Sequence, residues 1–164
     1  MPTFGDTTAG GDTFPTTNDR ALISDFTCPE SGTATQINIR FDSSSSAGSN
    51  AKAFIYADSG GAPGALLVVS SGVAIPAGGG DIAFPIADTA VSATTYWVGA
   101  VTDSFQATWQ VDSTGDLKRR EAHSYASPAN PWGTDSGTSG AQVNGYVTYT
   151  TGGGVKSLMM IGAG

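Results

Sequence analysis

The seven residues Thr35-Gln36-Ile37-Asn38-Ile39-Arg40-Phe41 put Thr35, Ile37, Ile39 and Phe41 on one parity and Gln36, Asn38 and Arg40 on the other. Side chains alternate faces along an extended strand, so this stretch spells a strand with one buried and one wet face, the pattern of an antiparallel sheet. The same period returns on either side. Residues 51–57 place Ala53 and Ile55 inward, residues 81–86 place Ile82 and Phe84, and residues 95–102 place Tyr96, Val98 and Ala100. Further on, Phe105, Ala107, Trp109 and Val111 share one parity, as do Val143, Val147 and Tyr149. Residues 66–69 are apolar without alternation, which predicts a strand covered on both faces. Helical periodicity is not evident in any segment.

Between these runs stand turn formers, "DSSSSAGSN", "DSGGAPGA", "PAGGGD", "DSTGD" and "SPANPWGTDSGTSGA". Glycine supplies positive φ, proline presets φ, and Asp and Ser side chains accept backbone N–H bonds, so each cluster ends a strand for a physical reason. Roughly eight short strands punctuated in this way predict an all-β protein, an antiparallel β-sandwich of jelly-roll type. At 164 residues the chain suits one such domain. The expected organisation is an N-terminal arm over residues 1–19, the sandwich over residues 20–151, and a tail over residues 152–164 that follows a Gly152-Gly153-Gly154 hinge. Within the arm, Phe4 and Phe14 are the candidates for burial.

Charged residues are 13% of the chain and the net charge is −7, which argues against a nucleic-acid surface, because phosphate binding needs a basic face. Membrane insertion is not expected either, for want of an apolar run of about 18 residues. The one cysteine, Cys28, follows Leu22, Ser24 and Phe26 in alternation and is expected as a buried apolar thiol. The N-terminal stretch "MPTFGDTTAGG" has neither the basic nor the apolar region of a secretion signal, although the composition suits an extracellular module. Two locations fit both observations: a virion, or, as the alternative, the extracellular space after removal of a signal.

The stretch from Lys52 to Leu67, "KAFIYADSGGAPGALL", followed by Tyr96-Trp97-Val98-Gly99, resembles jelly-roll β-sandwich modules found in phage virion proteins, decoration and fibre proteins among them, and in bacterial surface proteins. The resemblance spans about residues 20–150 and implies a fold. It brings no shared catalytic motif, and the two chain ends lie outside it.

Candidate functional residues are few. His123, in "KRREAHSYA", has no nucleophile motif around it and reads as a surface histidine in an exposed edge strand or loop. Most Asp residues neighbour Gly, Ser or Thr and suit turns better than glycoside chemistry. No cofactor motif is present. The loops carrying Asp6, Asp12, Asp19 and Asp58 offer oxygens for a structural Ca²⁺, without the spacing of an EF-hand. Arg119 and Arg120 are candidates for a subunit contact, since Arg favours interfaces. Trp132, between Pro131 and Gly133, either presents its indole to a ligand or folds back over the end of the sandwich; Trp97 is the second candidate for sugar stacking. The tail holds the run Leu158-Met159-Met160-Ile161, too short to cross a membrane and suited to docking on another subunit.

These readings give two expectations of function. One is a non-enzymatic structural protein of a virion, a capsid decoration protein or a head or tail fibre component, attached through its terminal arms to capsid or tail proteins, homo-oligomeric, and able to meet surface glycans. The alternative is a carbohydrate-binding module of a secreted or cell-surface protein, working through Trp132 and Trp97.

Overall fold

The computed structural model describes residues 1–115, 117–120 (backbone only) and 123–152. Among these residues there is no helix; fourteen strands form two antiparallel seven-stranded sheets packed face to face. In the first sheet β4 (Gly32–Phe41) runs between β14 (Gly145–Thr151) and β8 (Gly80–Val91), with β1 (Thr3–Gly5), β2 (Asp12–Pro15), β10 (Thr108–Asp112) and β13 (Gln142–Val143) completing it. The second sheet has the order β12 (Gly137–Ser139), β11 (Leu117–Arg120), β3 (Arg20–Thr27), β9 (Thr95–Thr102), β5 (Ser49–Asp58), β6 (Pro63–Val69), and β7 (Val73–Ile75) also pairs β5. The chain therefore crosses between sheets from β3 to β4 and back again to β5, which makes long-range pairing the rule.

Strand β4 behaves largely as its alternation predicts: Ile37, Ile39 and Phe41 are buried and Gln36 and Arg40 are half-buried. The exception is Thr35. A register shift between Ala34 and Gln36 leaves it without a partner in both ladders and turns Ala34 inward instead. An extra residue in one strand reverses the facing of everything before it. The space between the sheets is filled from both sides, by Ile37, Ile39 and Trp109 from the first sheet and by Leu22, Ala53 and Val98 from the second. Cys28 is buried in the same core, as its alternation with Leu22 and Phe26 requires. Gly60 and Gly61, at φ 68° and 84°, turn the chain after β5, with the Asp58 carboxylate accepting from the Gly61 N–H at 3.2 Å.

Several expectations need correction. Phe105 is 70% exposed rather than inward, because β10 begins only at Thr108 and the preceding residues turn. Residues 66–69 are not covered on both faces throughout: β6 is the edge of its sheet, Val68 enters the core, Leu66 packs outward, and Leu67 stays 42% exposed. The first nineteen residues, expected as an arm, contribute two strands to the first sheet, with Phe4 paired to Val147 and buried, and Phe14 opposite Trp109. A residue as large as Phe4 gains roughly 1.5–3 kcal/mol by leaving water, which helps hold so short a strand in place.

The second sheet is covered on its outer face as well. Phe54 and Tyr56 of β5 and Trp97 and Val101 of β9 point away from the inter-sheet core and form a second apolar cluster with Ile23 and Trp132. Their cover is the segment 123–136. Its Trp132 N–H donates to Gly64 O at 3.0 Å, Asn130 Oδ1 accepts from the Leu66 N–H at 3.0 Å, and the Tyr56 hydroxyl donates to Ala129 O at 2.6 Å. The second sheet thus lies between two apolar layers.

Candidate functional site

Both tryptophans considered for ligand stacking belong to this outer layer. Trp132 is fully buried, with ring centroids 4.7 Å from His123, 5.4 Å from Tyr56 and 6.1 Å from Phe54, and its Nε1 donates to Asp135 Oδ1 at 2.6 Å. Trp97 is 1% exposed and its Nε1 donates to Asp58 Oδ1 at 2.9 Å. A sugar ring needs an open indole face, and neither residue offers one, so the fold-back arrangement of Trp132 is the one adopted. Burial satisfies the apolar ring while each N–H finds a carboxylate, the usual solution for an indole inside a protein.

His123 is also buried, against the expectation of a surface residue. Its backbone N–H donates to Asp19 O at 2.8 Å, and its Nε2 lies 3.2 Å from the Tyr56 hydroxyl. Since that hydroxyl donates to Ala129 O, it accepts from an Nε2–H, which fixes the tautomer by the hydrogen-bond network. The imidazole is committed to packing, between Phe54 at 5.4 Å and Trp132. Arg119 and Arg120 lie on β11, opposite Leu22 and Ala21 of β3; β12 pairs with the other side of β11, which makes it an interior strand rather than the expected edge. Their side chains, and the whole run Leu158-Met159-Met160-Ile161, lie outside the described residues.

The aspartates proposed as cation ligands divide. Asp19 and Asp58 serve turns and indoles: Asp19, at φ 56°, accepts from the Tyr125 N–H at 2.7 Å. Asp6 and Asp12 instead approach a third acid that the sequence did not single out, Asp112. The junction of β13 and β14 presents Asn144, whose Nδ2 donates to Asp6 Oδ2 at 2.7 Å and to Asp112 Oδ2 at 3.2 Å. Backbone geometry builds this notch. Gly5, at φ 119°, lets the chain pass β14 where a Cβ would stand 2.5 Å from Gly145 O, and the Asp6 N–H then donates to that same carbonyl at 2.8 Å. Thr8 fixes the outer carboxylate oxygen of Asp6 with its N–H at 2.8 Å and its hydroxyl at 2.6 Å.

Among the described residues neither carboxylate forms an ion pair; Arg40, on the same sheet, is held by Asp81 at 2.6 Å. The adjacent Asp6 carboxyl, with burial adding to it, pushes the Asp112 pKa up. Asp6 is held below its ordinary range: burial opposes this, and the hydrogen bonds it makes with Asp112, Thr8 and Asn144 outweigh burial. Among the described residues no three His, Cys, Asp or Glu side chains form a metal-ligand group. The notch is a mixed set of two carboxylates and one amide. Asp112 could have been suspected as the polar end of an apolar strand, and Asn144 as the residue that breaks the alternation between Val143 and Val147. Their convergence with Asp6 depends on sheet order, which no local pattern carries.

No protein-family model matches this chain, and no curated protein is found similar to it.

Proposed function

We propose that the chain is a non-enzymatic structural protein of a virion, a capsid decoration protein or a head or tail fibre component, with a sandwich of jelly-roll type as its rigid body. One observation carries the reading. The side chains best suited to chemistry or sugar stacking, His123, Trp97, Trp109 and Trp132, are all at most 1% exposed and serve the packing. Function then falls to the shape and surface of the body and to the C-terminal tail. The surface is low in charge, rich in Gly, Ser and Thr, and net acidic. Such a surface suits a protein displayed in many copies, where weak contacts sum to high avidity.

Attachment falls to the C-terminal tail, because residues 3–5 and 12–15 are already used as strands of the first sheet. Strand β14 ends at Thr151 beside Gly32, so the tail starts at the end of the sandwich where β4 begins. Its run from Leu158 to Ile161 would bury apolar surface against a capsid or tail protein or another copy of the chain. The test is density-gradient fractionation of native particles, probed with an antibody against the sandwich. The protein is expected in the particle band, at a fixed ratio to the shell protein. Recovery only in soluble fractions would overturn the proposal.

A further inference from the structure

The segment between β1 and β2 is seated directly on the strands beneath it. A Cβ on Gly10 would stand 2.1 Å from Asn144 Oδ1 and 2.3 Å from Val111 O, so the backbone passes there without room for a side chain. Asp6, at the start of the segment, meets Asp112, at the end of β10, and one buried nitrogen serves both. Asn144 is 1% exposed, and its Nδ2 donates to Asp6 Oδ2 at 2.7 Å and to Asp112 Oδ2 at 3.2 Å. The N–H and hydroxyl of Thr8 fill Asp6 Oδ1 at 2.8 and 2.6 Å.

The two carboxyl groups also hydrogen-bond each other. An ionised carboxylate only accepts, so such a bond needs one proton between the pair. The groups on the neighbouring elements do not remove that need. Asp12 on β2 adds a further negative charge felt by Asp112. Arg40 on β4 is close enough to feel the charge of Asp6, but its guanidinium is engaged by Asp81 of β8 at 2.6 Å. Tyr146 on β14, opposite Gly5, brings no positive charge, and β13 consists of Gln142 and Val143. We infer that Asp6 and Asp112 share one proton and form a catch, which holds the N-terminal strands on the first sheet in mildly acidic solution and loosens them as the proton leaves.

Asp112 is the member pushed up, by the adjacent Asp6 carboxyl first and by burial second. Its extra affinity for a proton exists only while the segment is closed. Its contribution to closure is therefore complete below the ordinary carboxylate value and is lost as pH rises through the raised one. Asp6 is the member held down: burial opposes this, and its bonds with Asp112, Thr8 and Asn144 prevail. Its contribution is lost on the other side, as pH falls from the ordinary value through the lowered one. Closure is tightest near the ordinary aspartate value, about 3.9, and weakens in both directions. Toward neutral pH two like charges face each other, and the segment they loosen carries β1 and β2. The catch acts at the N-terminus and does not depend on the attachment role of the tail.

The experiment is a carboxyl ¹³C NMR titration of the full chain, with hydrogen exchange at the amides of β1 and β2 recorded as protection factors over the same pH range. Two separate steps are expected for the pair, one below and one above the ordinary aspartate value, and both carboxyls should sense each step because the proton is shared. Protection should peak near the ordinary value and fall by up to about tenfold per pH unit until the higher step is passed, then level off. Asp112→Asn keeps a donor toward Asp6 and removes the like charge, so its protection should stay level where the parent's falls. Asp88→Asn, which changes an exposed acid on β8, should follow the parent. A single step for both carboxyls at the ordinary value, or protection in Asp112→Asn that falls with rising pH as the parent's does, would overturn the inference.

Discussion

Replacing Trp132 by Ala removes a fully buried indole from the outer layer of the second sheet, and the cost can be worked from its contacts. The ring packs on His123, Tyr56 and Phe54 at 4.7, 5.4 and 6.1 Å, and its Nε1 bond to Asp135 is lost with it. Truncation of a buried Trp to Ala costs about 3–5 kcal/mol, transfer and cavity together. The lower end applies here, because Asp135 is half-exposed and regains water, and because the covering segment can settle into part of the space. A loss of about 3 kcal/mol corresponds to a fall in melting temperature of roughly 6–12 °C for a chain of this size. Trp132→Phe keeps a ring against Phe54 and Tyr56 and loses the hydrogen bond, so it should cost about 1–2 kcal/mol. Urea unfolding followed by ellipticity measures both. A change below about 1 kcal/mol for Trp132→Ala would refute the packing role, since surface substitutions fall in that range.

Ile39→Asp places a carboxylate in the inter-sheet core opposite Ile82 and Gly145 and should prevent cooperative folding, since an unpaired buried charge costs several kcal/mol against a total of about 5–15; a soluble variant with a sharp melting transition would contradict the facing assigned to β4. Cys28 is fully buried and burial raises its thiol pKa, so an aromatic disulfide reagent should modify native protein only at the rate of unfolding. Rapid stoichiometric labelling without urea would place the thiol at the surface.

The first core was legible because its strands alternate: Ile37, Ile39 and Phe41, or Tyr96, Val98 and Ala100, declare their face within a few residues. The second core was legible only in part. The strands "AKAFIYAD" and "TYWVGAVT" are apolar on both parities, with Phe54, Tyr56, Trp97 and Val101 on the side away from the first core. That two-faced pattern announces a cover on each side of the sheet. What supplies the cover cannot be read locally, since residues 123–136 have no periodicity and dock through bonds from Trp132 to Gly64 and from Leu66 to Asn130. The Asp6 notch was hidden for the same reason. Its three residues, Asp6, Asp112 and Asn144, come from separate parts of the chain and meet because β1 pairs β14 while β10 pairs both β2 and β13.

The attachment role of the tail is tested most directly by co-sedimentation of the chain with native particles, with and without residues 152–164, and with the melting transition of each recorded. The account predicts that the full chain travels with the particles, that the shortened chain stays at the top of the gradient, and that both melt at the same temperature. The apolar run would contribute roughly 1.5–3 kcal/mol for each of Leu158, Met159, Met160 and Ile161 before ordering costs, enough for attachment to depend on it. A shortened chain that still binds particles, or one whose sandwich no longer melts cooperatively, would contradict the account: the first would place attachment on the sandwich itself, the second would make the run part of the fold.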